Sequence, residues 1–260
     1  GRKLNVWWLT VAAAGALAIV SVTGYAFGQM ALSNDYGVFY QHRNFYGVVK
    51  LKQTGLAFGP EDLRYVLIHD GIIHGSQYKS MPRRLNPISY YGKQSGIGIL
   101  MNHFRPDRSR HVGVLGLGVG TMAAFGEPGD RFRFYEINPE VIRLARSQFS
   151  YLEESEASTK VVKGDARLSL EEEKSQQFDV LVMDVFRGDA VPVHLLTKQA
   201  FGLYLRHLKR DGVLAVNISN RHLDLWPLIN ALAQEFDLET AVITSPSKSS
   251  EGLTTARWAL

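Results

Sequence analysis

An apolar strand, Val112 to Leu115, runs directly into Gly116-Leu117-Gly118-Val119-Gly120. Glycines this closely spaced permit positive φ and a tight turn, and they allow a backbone to lie against a ligand or a neighbouring strand. The downstream pattern fits the first turn of an open α/β sheet. Strand His111 to Leu115 is followed by a helix from about Gly120, strand Phe132 to Glu136, helix Pro139 to Phe149 and strand Lys160 to Lys163. Strand Phe178 to Asp184, helix Thr197 to Lys209, strand Gly212 to Asn217 and helix Leu223 to Phe236 continue the series, and Ala241 to Thr244 and Ala256 to Leu260 close it. Strands alternating with helices in this way predict a mostly parallel sheet.

The strand ends carry the chemistry. Ligands of open α/β sheets bind beyond the carboxyl ends of the strands. Here the first end bears Gly116, Gly118 and Gly120, the next Glu136, the third Asp165 with Ala166, and the fourth Asp184. Glu136 lies 20 residues after Gly116, the spacing at which a carboxylate receives the hydroxyls of an adenosine ribose. Asp165 stands at the height of an adenine amino group. The third glycine comes two residues after the second, which favours a single adenosine over a dinucleotide. Each acid could instead cap the helix that follows it, as Asn138 does ahead of Pro139 at the first helical position. The expected ligand is of the S-adenosyl type.

Upstream, Tyr46 to Leu51, Arg64 to His69 and Ile72 to His74 are short apolar bursts separated by Gly55, Gly59-Pro60 and Asp70-Gly71, which predicts a small antiparallel β unit with hairpin turns. Ser89 to Phe104 reads as a helix whose glycines, Gly92, Gly96 and Gly98, imply close packing or a nearby ligand. The chain opens on an uncharged run from Leu4 to Asn34, with Trp7, Trp8 and Tyr25 suited to membrane interfaces, so a transmembrane helix is expected. The expected organisation is therefore a transmembrane helix over 1–34, a small β domain over 35–86 and a Rossmann-like, methyltransferase-type domain over 87–260.

Composition narrows the functions. With 29 basic against 25 acidic residues the formal charge is only +4, spread along the chain, which reads as a solvated surface and not a nucleic-acid face. The absence of cysteine removes disulfides, thiolate zinc sites and cysteine nucleophiles. No pair of histidines has metal-ligand spacing with a carboxylate, so no metal is expected.

As an ordered set, several motifs resemble the spermidine synthase, or polyamine aminopropyltransferase, family, particularly bacterial forms fused to a membrane domain. They are Leu67-Ile68-His69-Asp70-Gly71-Ile72-Ile73-His74, Tyr90-Tyr91, the Gly116 loop, Tyr135-Glu136-Ile137-Asn138-Pro139, Gly164-Asp165-Ala166 and Val182-Met183-Asp184. The resemblance runs from about Asn44 to Phe236. It implies that an aminopropyl group passes from decarboxylated S-adenosylmethionine to an amine, leaving methylthioadenosine, with no tightly bound cofactor. It also implies that Glu136 binds the ribose, that Asp165 with Ala166 meets adenine, and that Asp184 helps to deprotonate the amine; Asn138 is a further candidate cofactor-binding residue.

The sequence departs from the family at charges that would hold substrate. Val119 stands where the glycine loop has an aspartate. Arg187 replaces a second aspartate, with Asp189 nearby, and Tyr46 and His74 replace donor-contacting glutamines. Arg187 would suit a carboxylate, which makes S-adenosylmethionine itself a candidate donor, with its sulfonium side chain near Val119. Tyr90, Tyr91, His69 and His74 are the candidate acceptor-pocket residues. Two other readings stay open: an enzyme that uses S-adenosylmethionine for methyl transfer or for cleavage to methylthioadenosine, and a non-catalytic ligand-sensing domain. The expected setting is a bacterial inner membrane with the soluble domain cytoplasmic, and a homo-oligomer is compatible with it.

Overall fold

A computed structural model describes residues 6–105, 107–185, 192–220 and 222–260, and of Val6, Leu9 and residues 26–35 the backbone alone. The chain divides into two units, Gly1–Val38 and Phe39–Leu260. The first contains helix α1, Val6–Asp35. Thr10 and Thr23 turn their hydroxyls onto carbonyls of their own helix, Trp7 O for Thr10 and Ile19 O for Thr23. Among the described residues no helix is long and apolar enough to cross a membrane. The transmembrane helix expected over 1–34 is thus not found among the described residues, and part of that expected span, residues 1–5 and the side chains of Val6, Leu9 and residues 26–34, lies outside them.

In the second unit, strands β1 (Val38–Asn44), β2 (Gly47–Thr54), β3 (Arg64–His69) and β4 (Ile72–Tyr78) form an antiparallel sheet in sequence order. Asp70 and Gly71, both at positive φ, make the two-residue turn between β3 and β4 that a twisted hairpin favours. The β3–β4 register shifts between Leu67 and Ile68: Leu67 pairs with Gly75 and Ile68 with Ile73, so His74 is the extra residue of a β-bulge.

Helix α2 covers only Gly96–His103, with Ser95 capping it by accepting from Gly98 N. The longer helix expected from Ser89 does not form. Ser89 has a positive φ and hydrogen-bonds through its backbone N–H to Gly252 O, so the segment before Ser95 is tied to the chain's last turn instead. The glycines serve packing, since a Cβ on Gly96 would lie 2.7 Å from the Cβ of Trp258, and one on Gly98 would lie 2.3 Å from Gly92 O.

Next come β5 (His111–Leu115), β6 (Arg131–Glu136), α3 (Pro139–Ser147), β7 (Ser158–Lys163), α4 (Ala166–Glu172) and β8 (Phe178–Met183). The chain ends with α5 (Lys198–His207), β9 (Leu208–Asn217), α6 (Trp226–Glu235), β10 (Val242–Ser245) and β11 (Ala256–Ala259). The sheet order is β10-β11-β9-β8-β5-β6-β7. The strands from β9 to β7 in that order are parallel, and β10 and β11 pair antiparallel at one edge. Every residue of β8 is buried, as a strand covered on both faces requires.

After Gly120 the structure has a 3-10 turn, Thr121–Phe125, where an α-helix was expected. Gly126 ends it, because a side chain there would collide with Ala157. The side chain of Arg110 is buried with that of Asp130, which accepts from its Nε at 3.0 Å and its Nη2 at 2.6 Å, while Phe125 O takes a further Nη2 bond at 3.1 Å. This ion pair fastens the entry of β5 to the entry of β6. One face of the large sheet shares its apolar core with Val49, Leu51 and Leu67 of the small sheet.

Candidate active site

Two cavities open at the carboxyl ends of the parallel strands. The smaller, about 270 Å³, is lined by Gly116, Gly118, Glu136, Asn138, Asp165, Ala166 and Asp184, together with Tyr46, His69 and His74 from the small sheet. The larger, about 690 Å³, begins at His74, Tyr90 and Asp184 and continues along Asn217, Ser219, Asn220, Thr244, Thr254, Thr255, Asp224 and Arg257. Among the described residues only His74 and Asp184 border both.

The glycine loop is held tightly in place. A Cβ on Gly116, at φ +93, would come within 2.2 Å of Asp184 O, and one on Gly118 would meet His74 O at 2.5 Å. Positive φ and close approach both exclude larger residues here. Gly120, also at positive φ, lies against Leu152 and lines neither cavity. Val119 is buried and packs on Gly75, the residue after the bulge. It lines neither cavity, and the loop offers no carboxylate at this position.

Glu136 accepts from Leu117 N at 3.2 Å through Oε2 and from Asn138 N at 2.8 Å through Oε1. Burial outweighs these donors and pushes its pKa up to about 7. Asn138 caps α3, accepting from Glu140 N at 3.0 Å and from Asn44 Nδ2 at 2.8 Å, while its own Nδ2 is buried without a partner. Asp165 caps α4 by accepting from Leu168 N at 3.0 Å, and its other oxygen lies 3.5 Å from His194 Nε2. Capping and cavity lining therefore coexist in one side chain.

His74 has its Nε2 buried and unpartnered, and burial lowers its pKa to about 4, with His69 adding to the effect. It is neutral near pH 7. His69 is occupied elsewhere, donating from Nε2 to Tyr46 O at 2.6 Å. Both orphan nitrogens belong to residues that line the smaller cavity, His74 and Asn138.

Asp184 is held by three donors. The Tyr90 hydroxyl (3.0 Å) and the Tyr91 hydroxyl both reach Oδ2, and Asn217 Nδ2 donates to Oδ1 at 2.8 Å. Burial raises the carboxyl pKa, opposed by these three bonds, and it also drives both phenols well above their usual range. A carboxylate has about four acceptor positions, so roughly one, on Oδ1, is left for a substrate N–H. Asn217 was not singled out in the sequence, although it ends β9 and the strand-end rule that finds Glu136 and Asp184 finds it as well. Arg187 and Asp189 lie outside the described residues. Among the described residues no cluster of three or more His, Asp or Glu could hold a metal ion.

The fold is spermidine synthase-like. A probable spermidine synthase from Corynebacterium glutamicum superposes with a TM-score of 0.65 at 21% identity, over 86% of this chain and 78% of that one. A spermidine synthase in complex with the transition state analogue AdoDATO gives 0.61 at 17%, over 85% and 72%. In sequence, the polyamine aminopropyltransferase of Vibrio vulnificus (strain CMCP6) is 31% identical over 129 residues, which is 49% of this chain and 42% of that protein. An N-terminal histidine N-methyltransferase of Emericella nidulans is 34% identical over 118 residues, 44% of this chain and 20% of that protein. The chain thus spans less than half the length of these curated relatives, both of them transferases. No family model matches it.

Proposed function

We propose that the unit Phe39–Leu260 is an aminopropyltransferase-type enzyme that moves an alkyl group from an S-adenosyl donor in the smaller cavity to an amine in the larger one. The observation that carries this reading is the position of Asp184, a carboxylate on the border of both cavities with one acceptor position to spare. The smaller cavity fits an adenosine. Glu136 offers two oxygens to the ribose hydroxyls, Asp165 faces the adenine side, and Asn138 Nδ2 and His74 Nε2 lack partners. When bound, the donor supplies an electrophilic carbon beside a sulfonium.

Asp184 orients the acceptor nitrogen and takes its proton, because an amine attacks only as the free base. The nitrogen lone pair forms the new N–C bond while the C–S pair returns to sulfur, leaving a thioether, methylthioadenosine in the aminopropyl case. Neutral His74 borders the reacting region without placing a cation beside the sulfonium. Alignment of the two substrates supplies most of the remaining acceleration.

The burial of Val119 favours a second reading, in which S-adenosylmethionine itself is the donor and a methyl group moves. Incubating the protein with S-adenosylmethionine or its decarboxylated form, with and without an amine, separates the two. Methylthioadenosine is the expected product, and S-adenosylhomocysteine would replace the first reading with the second. Asp184→Asn should cut the rate roughly 10²- to 10⁴-fold while the adenosine product still binds. A variant that turns over like the parent, or a parent that binds and never turns over, leaves only a ligand sensor.

A further inference from the structure

The larger cavity carries its own statement about the acceptor, which rests on the transfer reading above. A molecule with an ammonium at each end needs an uncompensated carboxylate near each end of its site. Among the described lining residues only Asp184 is available for this. Asp224, the other acid, already accepts from Arg257 Nη1 at 2.8 Å. That bond occupies one edge of the guanidinium, and Arg257 Nε and Nη2 have no partner among the described residues.

Arg257 is also firmly placed. Its N–H donates to Ser219 Oγ at 2.9 Å and its carbonyl accepts from Ile218 N at 2.9 Å. In the β11–β9 register Trp258 lies opposite Asn217, so Arg257 stands one residue from the strand position that anchors Asp184. Trp258 is buried and Arg257 half-buried, since neighbouring residues of a strand point to opposite faces of the sheet. Thr254, Thr255 and Thr244 add hydroxyl-bearing side chains to the same wall.

We propose that the acceptor is an amine bearing a carboxylate, with the amine at Asp184 and the carboxylate on the free fork of Arg257. A planar guanidinium with two adjacent donors fits a carboxylate and repels an ammonium.

Calorimetry on the full chain in saturating methylthioadenosine tests this with three probes of equal chain length: 4-aminobutyrate, 1,4-diaminobutane and butylamine. The expected result is that 4-aminobutyrate binds about tenfold or more tightly than the other two, the scale of one charge-assisted contact. Arg257→Gln should abolish that preference while methylthioadenosine binding stays unchanged, and Arg257→Lys should keep part of it. The proposal is overturned if the diamine binds as tightly as the amino acid, if none of the three binds, or if Arg257→Gln leaves the ratio unaltered. Because the ratio is read without turnover, it stands apart from the transfer reading, whose own failure is the absence of any adenosine product with either donor.

Discussion

Glu136 sets the pH behaviour of the smaller cavity. Its pKa near 7, against an ordinary 4.5, means that folding favours the protonated carboxyl. The contribution to stability is complete below the ordinary value and is lost as pH rises through 7. Without ligand, this group should lower the melting temperature between pH 6 and pH 8. A ribose that donates hydroxyls to the carboxylate favours the charged form instead, so methylthioadenosine should bind several-fold more tightly at pH 8 than at pH 6, by roughly three- to tenfold. Calorimetry in buffers of differing ionisation enthalpy should record proton release on binding, and Glu136→Gln should flatten both trends. An affinity indifferent to pH would mean that the ligand does not meet this carboxylate. Strand-end position and the distance from Gly116 make Glu136 readable from sequence. Its pKa was not readable, because that comes from surroundings supplied by other segments.

At the scale of elements, two devices hold the site together. The bulge at His74 turns this residue toward the meeting point of the cavities, the kind of re-aiming for which bulges are used. The Arg110–Asp130 pair joins the starts of adjacent strands and is fully buried. Removing one partner strands a buried charge, so Asp130→Ala should lower stability by about 3–5 kcal/mol, read from the urea midpoint at unchanged m-value. A loss below about 1 kcal/mol would show that water reaches Arg110. The central strands were legible because burial on both faces imposes apolar runs, as in Val180 to Met183 of β8. Strand β1 and helix α4 were not: β1 mixes half-buried and exposed positions without regular alternation, and α4 is a short helix announced only by its Asp165 cap. The helix expected from Ser89 failed because glycines spaced for packing mimic the spacing of a weak helix.

Over the molecule as a whole, the smaller cavity was legible and the larger one was not. Gly116, Glu136, Asp165 and Asp184 follow one rule of strand ends within a single stretch of chain. The larger cavity is assembled from the β3–β4 hairpin, the segment at Ser89 and Tyr90, the end of β9 and the antiparallel pair β10 and β11, and no pattern along the sequence announces their convergence. Its shared border with the smaller cavity has a kinetic consequence. Among the described residues the two cavities share His74 and Asp184 alone, so in the proposed transfer reading neither substrate lies across the other's entrance. Either can load first, and nothing departs until both have arrived. Initial-rate lines drawn at several fixed acceptor concentrations should therefore intersect and not run parallel, and donor supplied alone should leave no alkylated protein behind.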